Sequence, residues 1–294
     1  MATVTARRGS ALILVAVLLA AALSACGSAP PKDAPGTASV VSAPVRVAHT
    51  SDGAVGYRVV GSGPPLVMIQ GYAWTIDQWD PRLVHALAEH HRVVMFDNSG
   101  VGRTRPLAVP FSIDDMAAQT SALISTLRLG RPDVLGWSLG GAVAQALAVL
   151  HPDQVGRLVL CATFPGNGSD QQPPPAAAPN RSDFPADQAG AYAAFKAAIA
   201  EYPAASGPAP AVAGQSTAFA DWLVGQDPAG RETSHITAPT LIADGTDDQL
   251  DLVMNDHTLA GLIHGSRLTL YPDAGHAFLF QDWSRFAALV NSFR

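Results

Sequence analysis

The stretch Val134-Leu135-Gly136-Trp137-Ser138-Leu139-Gly140-Gly141 places a serine between glycines in the pattern G-x-S-x-G. The short apolar run before the serine predicts a strand, and the Ala- and Leu-rich run 139–150 after it predicts a helix. A sharp turn from strand to helix lifts a serine side chain above a sheet, and the glycines let neighbouring backbone approach closely. In a chain with 26 glycines the pentapeptide alone is weak evidence, so the strand and the helix around it carry the prediction.

Short β-branched runs alternate with longer Ala- and Leu-rich stretches on both sides of this motif. The predicted strands are 45–48, 57–60, 66–69, 92–96, 134–135, 157–161, 239–243 and 268–271. The predicted helices are 81–89, 113–127, 139–150, 255–263 and 283–293. This alternation predicts an α/β fold with a mostly parallel central sheet flanked by helices on both faces.

The stretch 164–236 interrupts the alternation and contains many prolines, among them Pro173-Pro174-Pro175. Two segments within it, 189–201 and 216–224, predict short helices. Because long connections without secondary structure are uncommon, we expect an inserted cap or lid here; a surface loop is the alternative. The folded part of the chain then consists of a first core part, 45–163, the cap, 164–236, and a second core part, 237–294.

The first residues are typical of a secretory signal peptide over 1–25. Arg7 and Arg8 precede an apolar run, 11–23, that is shorter than the roughly 20 residues a membrane-spanning helix needs. A basic start followed by a short apolar run is the usual pattern of such a signal. An ordinary cleavage near Ala22 and an uncleaved membrane anchor remain alternatives to the more specific interpretation that follows.

The end of this segment, Leu23-Ser24-Ala25-Cys26, resembles the lipobox of bacterial lipoproteins. The resemblance implies lipidation of Cys26 and a location in the cell envelope, with the chain held on the outer face of the cytoplasmic membrane. The Ala-, Pro- and Ser-rich stretch 26–44 predicts a disordered tether between anchor and fold. Heavy use of Ala, Gly, Pro and Arg is typical of GC-rich genomes such as those of actinobacteria.

Composition excludes several classes of protein. A net charge of −6 argues against a nucleic-acid binder, which would carry a basic patch. The two cysteines do not form a disulfide framework, and Cys161 at the end of an apolar strand is expected to be a buried hydrophobic residue. His85 and Glu89 lie one helical turn apart, but no third ligand follows at zinc spacing, so we expect no metal. No cofactor is implied, and the oligomeric state is not predicted.

A serine hydroxyl needs a base to become a nucleophile, and the base needs a group that orients it. His276 follows the last predicted strand, and Asp248 follows the strand before it. Both are expected at the carboxyl edge of the sheet, where the serine turn also lies. Asp247 is the chief rival of Asp248, and Asp244 and Asp251 are weaker ones.

From residue 45 to the end, the chain resembles the α/β-hydrolase fold family. Gly136–Gly140 matches the family's nucleophile turn, Gly275-His276 its histidine turn, and Gly245-Thr246-Asp247-Asp248 its acid turn, where the carboxylate lies three residues after the glycine. The stretch 96–104 is similar to the loop after the fourth strand, with Ser99 where arginine is commoner. The loop after the third strand departs from the family, with Gln70-Gly71 in place of His-Gly.

The resemblance implies a serine hydrolase with Ser138, Asp248 and His276 as the catalytic residues. It also implies that backbone N–H groups of Tyr72 and Leu139 form the oxyanion hole, and that the partner is a small-molecule acyl substrate such as a carboxylic ester. A cofactor-free haloperoxidase (perhydrolase), a carbon–carbon bond hydrolase and a peptidase share the same constellation. A tethered binding protein that has lost catalysis is the alternative of another class.

Overall fold

Eight strands form one sheet in the part of the chain that the computed structural model describes, residues 37–170, 183–203 and 212–294. The strands are β1 (Arg46–Thr50), β2 (Gly53–Val60), β3 (Pro65–Ile69), β4 (Arg92–Phe96), β5 (Asp133–Trp137), β6 (Leu158–Cys161), β7 (Thr240–Gly245) and β8 (Arg267–Tyr271). They lie in the order β1-β2-β4-β3-β5-β6-β7-β8, with β2 antiparallel to both of its neighbours and all other pairs parallel. The predicted mostly parallel sheet is confirmed.

Helices cover both faces of this sheet. They are α1 (Thr37–Ser42), α2 (Pro81–Ala88), α3 (Ile113–Thr126), α4 (Leu139–Leu150), α5 (Ala189–Ile199), α6 (Ala213–Leu223), α7 (Pro228–Arg231), α8 (Val253–Leu262), α9 (Phe278–Gln281) and α10 (Trp283–Ser292). Side chains alternate along a strand, so Val67 and Ile69 of β3 join the cluster under α3 and α4, while Leu66 and Met68 join the cluster under α2 and α10. The central strands are therefore buried on both sides, as their continuous apolar runs predict.

The local sequence sets the ends of the two helices beside the serine turn. Ser112 caps α3, because its hydroxyl accepts the N–H of Asp115 at 3.1 Å while the Asp115 carboxylate accepts the N–H of Ser112 at 2.8 Å. Helix α4 begins directly after Ser138 and ends before His151-Pro152, since proline disfavours helical backbone at the residue before it.

The structure corrects the C-terminal end of the predicted tether. Residues 37–42 form the short helix α1, and the side chain of Val40 is fully buried in the cluster under α2. The Arg58 guanidinium donates a hydrogen bond to the Val40 carbonyl at 3.3 Å, which ties this helix to β2. The disordered tether is therefore wrong for this part. The predicted signal peptide, Cys26 and residues 26–36 lie outside the described residues.

Helices α5, α6 and α7 occupy the insertion between β6 and β7, where the cap is expected. The predicted helices 189–201 and 216–224 correspond to α5 and α6. Trp222 of α6 is fully buried, and its indole N–H donates to the Phe164 carbonyl at 3.2 Å, so α6 is fixed to the chain that leaves β6. Residues 171–182 and 204–211 of the insertion lie outside the described residues. No helix in the described ranges combines the length and hydropathy that crossing a membrane requires.

Candidate active site

Ser138 lies in a strained turn between β5 and α4. Its backbone has φ +55° and ψ −124°, a conformation that non-glycine residues rarely adopt, and its N–H donates to the Cys161 carbonyl at 2.9 Å. A side chain on Gly136 would collide with the Gly140 carbonyl, and one on Gly140 would collide with the Ile69 carbonyl. The two glycines of the motif are therefore required by the close approach of backbone around the serine.

His276 and Asp248 form a buried hydrogen-bonded pair at the same edge of the sheet. His276 Nδ1 lies 2.6 Å from Asp248 Oδ2, and Asp248 Oδ1 accepts the N–H groups of Leu250 at 2.7 Å and Asp251 at 2.9 Å. The rival Asp247 is exposed, and its carboxylate accepts the hydroxyl of the adjacent Thr246. Of the candidate acids, the structure thus brings Asp248 to the histidine.

Trp137 connects the histidine turn to the serine turn. Its indole N–H donates to the His276 carbonyl at 2.9 Å, and its ring centroid lies 5.4 Å from that of the imidazole. Among the described residues, the Ser138 hydroxyl has no hydrogen-bond partner, so the structure joins His276 to Asp248 but not to Ser138. Catalytic hydrogen bonds often close only when substrate is bound.

The charges around His276 favour its protonated form. Burial lowers the pKa of His276, but the charge and the hydrogen bond of Asp248, together with the carboxylates of Asp183 and Asp256, raise it by more. The net result is a pKa above 6.5, the ordinary value for histidine. An imidazole with raised basicity is suited to accepting a proton from a neighbouring hydroxyl.

The loop after β3 passes directly beside the serine. A methyl group on Gly71 would lie 3.5 Å from the Ser138 Cβ. Within the described part of the chain, no hydrogen bond occupies the N–H of Tyr72 or of Leu139, the two groups expected to form the oxyanion hole. Gln70 is fully buried, and its side-chain oxygen accepts the Gly71 N–H at 3.0 Å, so the glutamine supports the loop from within.

Sequence reasoning missed two side chains that hold this loop. The Asn98 amide donates to the Gln70 carbonyl at 2.7 Å, and the side chain of Gln215 in α6 accepts the Ala73 N–H at 3.0 Å. Asn98 lies in the motif-like loop after β4, so its position was a signal that went unused. Gln215 is 142 residues away from Ala73, and nothing in the Ala-rich sequence around it marks it.

Aromatic rings pack together beside the serine turn. Trp74 packs edge-on against Trp137, with ring centroids 4.8 Å apart, and stacks on Phe195 of the insertion at 5.8 Å and on Phe280 at 5.9 Å. Trp79 and Trp222 are fully buried core residues.

Three carboxyl groups lie buried behind Asp248. Asp244, Asp251 and Asp256 are fully buried, and one carboxylate oxygen from each lies within 4.8 Å of the others. Burial, followed by repulsion from neighbouring carboxylates, raises the pKa of Asp244 and Asp251 well above the usual range, and burial raises that of Asp256 to about 7. Such a group is able to surround one cation, and the expected absence of a metal stays a prediction.

Comparisons with known proteins agree with this fold. A family model described as alpha/beta hydrolase fold matches residues 64–201. The chain is 30% identical over 255 residues to a 2-hydroxymuconate semialdehyde hydrolase of Pseudomonas sp. strain CF600, which covers 79% of this chain and 87% of that enzyme. It is 38% identical over 108 residues to a pimeloyl-acyl-carrier-protein methyl ester esterase of Nitrosomonas europaea, which is 37% of this chain. The matches of about 100 residues, such as this one, cover only 39% to 40% of the relative's own length.

The fold is also found among solved structures. An alpha/beta hydrolase fold protein from Chitinophaga pinensis aligns with a TM-score of 0.75 and 24% sequence identity, over 86% of this chain and 98% of that one. This likeness concerns the arrangement of strands and helices.

Proposed function

The chain belongs to the α/β-hydrolase fold family, and from this premise we propose that it is a serine hydrolase that cleaves a carboxylic ester or a related acyl substrate. The observation that carries the proposal is the buried pair of His276 and Asp248, 2.6 Å apart, which Trp137 ties to the strained turn of Ser138. A base oriented by an acid beside a serine on such a turn is the arrangement that nucleophilic acyl transfer needs.

In the proposed reaction, the Ser138 oxygen attacks the acyl carbonyl carbon, and His276 Nε2 takes the hydroxyl proton. Asp248 holds the hydrogen on Nδ1 and stabilises the imidazolium. The oxyanion of the tetrahedral intermediate accepts hydrogen bonds from the N–H groups of Tyr72 and Leu139, each worth about 3 kcal/mol in such sites. His276 then protonates the leaving alcohol, and water releases the acyl group from Ser138 by the same steps.

Labelling with a fluorophosphonate probe tests the proposal. We expect wild-type protein to be labelled on Ser138 and to hydrolyse a short p-nitrophenyl ester, and we expect Ser138→Ala to lose both. His276→Ala should retain the fold and lose hydrolysis. Equal labelling of Ser138→Ala and wild type would overturn the assignment, and absence of all hydrolysis would favour the non-catalytic binding protein.

Carbon–carbon bond hydrolysis is the second candidate, because a 2-hydroxymuconate semialdehyde hydrolase is similar to this chain over 79% of its length. The two candidates differ in the leaving group, which is a carbon atom in one and an oxygen atom in the other. Turnover of 2-hydroxymuconate semialdehyde and of a p-nitrophenyl ester series by the same preparation separates them. A kcat/KM at least 100-fold higher for the semialdehyde would favour the second candidate.

We further propose that the enzyme is a lipoprotein anchored in the cell envelope through Cys26. The basic start, the short apolar run and the sequence Leu23-Ser24-Ala25-Cys26 support this location. Acyl chains on the cysteine would supply about 0.8 kcal/mol for each buried methylene group. Mass spectrometry of the mature N-terminus should find an acylated Cys26, and Cys26→Ser should release the enzyme from membranes; an unmodified cysteine would exclude the lipoprotein.

A further inference from the structure

Gln215 joins the insertion to two loops of the core. Its side chain, on the first turn of α6, is fully buried. Its amide oxygen accepts the N–H of Ala73 at 3.0 Å, and its amide nitrogen donates to the carbonyl of Ser99 at 2.7 Å. One side chain from the insertion thus satisfies a donor in the loop after β3 and an acceptor in the loop after β4.

The donor that Gln215 binds belongs to an unusual turn. Ala73 has φ +63°, in the left-handed region that residues other than glycine seldom occupy, and the Trp74 N–H closes the turn on the Gly71 carbonyl at 3.4 Å. Tyr72, whose N–H is proposed to bind the oxyanion, lies inside this turn. The direction of the Tyr72 N–H therefore depends on the backbone conformation that Gln215 helps to hold.

The same loop is held from a second side by the chain after β4. Asn98 donates to the Gln70 carbonyl at 2.7 Å, and the adjacent Ser99 carbonyl accepts from Gln215. These three hydrogen bonds and the backbone of 70–73 and 98–99 form a closed ring that runs through Gln215, Ser99, Asn98, Gln70 and Ala73. All but Ala73 are buried, so water does not readily replace a lost partner.

Helix α6 packs against the core in a fixed position, which places Gln215 in this ring. A side chain on the neighbouring Gly214 would collide with the ring of Phe111, so the helix lies in direct contact with the core at this point. At its other end, the Trp222 indole N–H donates a hydrogen bond to the Phe164 carbonyl. If α6 moved away, Ala73 and Ser99 would lose their partners together.

We propose that Gln215 is a positioning residue that makes the oxyanion hole dependent on the seating of helix α6. With α6 in place, the loop presents the Tyr72 N–H to the reacting carbonyl; with α6 displaced, the serine, histidine and aspartate remain but the oxyanion loses one donor. The inference rests on the proposed serine hydrolase function. It assigns to the insertion a direct part in completing the active site, beyond covering it.

The proposal is tested with Gln215→Met, which keeps the side-chain length but neither accepts nor donates a strong hydrogen bond. Active sites are first counted by the amount of fluorophosphonate bound, so that unfolded protein does not affect the rate. Per labelled site, we expect kcat to fall 10-fold to 100-fold, with KM changed by less than about twofold. The affinity for a trifluoromethyl ketone, which forms a tetrahedral adduct, should fall in proportion to kcat/KM.

Gln119→Met is the matched control, since Gln119 is a buried glutamine of α3 whose amide nitrogen has no hydrogen-bond partner among the described residues. We expect it to keep the wild-type kcat. A Gln215→Met variant with wild-type kcat per labelled site, or one that weakens ketone and substrate binding equally, overturns the inference. If the wild type shows neither labelling at Ser138 nor hydrolysis, the proposed function itself fails, which is a different result.

Gln215→Glu provides a test that does not depend on how well the methionine variant folds. A protonated carboxyl group resembles the amide, because its carbonyl accepts from Ala73 and its hydroxyl donates to Ser99. An ionised carboxylate has no donor for the Ser99 carbonyl. We therefore expect the ratio of variant to wild-type kcat to rise as pH is lowered. A ratio that is flat with pH contradicts the positioning role.

Discussion

The Nδ1 atom of His276 lies 2.6 Å from Oδ2 of Asp248, with both side chains buried. An ionised carboxylate only accepts hydrogen bonds, so this contact assigns the ring hydrogen to Nδ1 and leaves Nε2 free to take a proton. The two backbone N–H groups on the other Asp248 oxygen fix the carboxylate in turn. The direction of the imidazole is therefore set by the chain after β7, far in sequence from Ser138.

Replacing Asp248 by asparagine should lower both the rate and the pKa of His276. Without the carboxylate, burial of the imidazole dominates, and the pKa that now lies above 6.5 should shift downward. We expect kcat to fall roughly 10³- to 10⁴-fold, because the amide can hold the wrong tautomer. In the wild type the acidic limb of kcat/KM against pH should lie above pH 6.5, and in the variant it should move to lower pH.

The pH profile of Asp247→Asn is the control for this prediction. Asp247 is the exposed neighbour, and its carboxylate contacts Thr246. We expect a wild-type profile and a rate within about twofold of wild type. A loss in Asp247→Asn as large as that in Asp248→Asn would show that the acid has been assigned to the wrong residue.

A methyl group at Gly140 should disrupt the serine turn. It would collide with the Ile69 carbonyl of β3, which is backbone and not free to move aside. We expect Gly140→Ala to lower the free energy of unfolding by about 1–3 kcal/mol and to reduce fluorophosphonate labelling at least 10-fold. Chemical denaturation and labelling kinetics measure the two effects.

Gly190→Ala is the matched substitution without a collision. Among the described residues, no atom other than those of its chain neighbours and its own helix backbone lies within 4 Å of a methyl group built on Gly190 of α5. Alanine restricts the unfolded chain and is the stronger helix former, so we expect stabilisation by about 0.5–1 kcal/mol with unchanged labelling. If both glycine variants behaved alike, steric contact would not explain the effect at Gly140.

The elements predicted well from sequence are those whose ends are marked locally. Strand β4 has its predicted bounds, and α4 begins after Ser138 and ends before His151-Pro152, as expected. Helix α1 was missed because six residues of Thr, Ala, Ser and Val carry no apolar period; burial of Val40 against distant helices stabilises it. Asp247 remains a rival of Asp248 at the level of sequence, because spacing along the chain does not fix which side chain turns inward.

Contacts between residues far apart in sequence hold the loops of the site, and sequence alone did not predict them. Gln215 reaches Ala73 across 142 residues, and Trp137 reaches His276 across 139. Neither contact follows from propensity or periodicity, because each depends on how the insertion and the last turns fold back over the sheet. Sequence therefore predicted that Ser138, Asp248 and His276 lie at one edge of the sheet, but not which side chains hold the loops around them.

Truncation of Val40 tests whether α1 belongs to the folded core. Its side chain is fully buried, so Val40→Ala should lower the free energy of unfolding by roughly 1–3 kcal/mol. Val47→Ala is the control, since that valine is 44% exposed in β1 and should cost less than about 0.5 kcal/mol. Equal stabilities for the two variants in urea titrations would show that α1 is not part of the folded core and belongs to the tether.

Asp256 gives a pH dependence of stability whose sign is fixed by its raised pKa. The carboxyl group ionises near pH 3.8 in the unfolded chain but at about pH 7 in the folded protein, chiefly because it is buried. Folding therefore takes up a proton between these values, and the free energy of unfolding falls as pH rises through that window, by about 4 kcal/mol at most. Below pH 3.8 the group is protonated in both states and contributes no pH dependence.

Asp256→Asn removes this ionisation while keeping the shape of the side chain. We expect the variant to be more stable than wild type at pH 8, and to lose that advantage as pH is lowered towards 4. The exposed Asp153→Asn should follow the wild-type curve at every pH. Denaturant titrations at pH 4, 6 and 8 measure the difference. A variant less stable than wild type at pH 8 would mean that the Asp256 carboxylate is held by a favourable partner, such as a cation shared with Asp244 and Asp251.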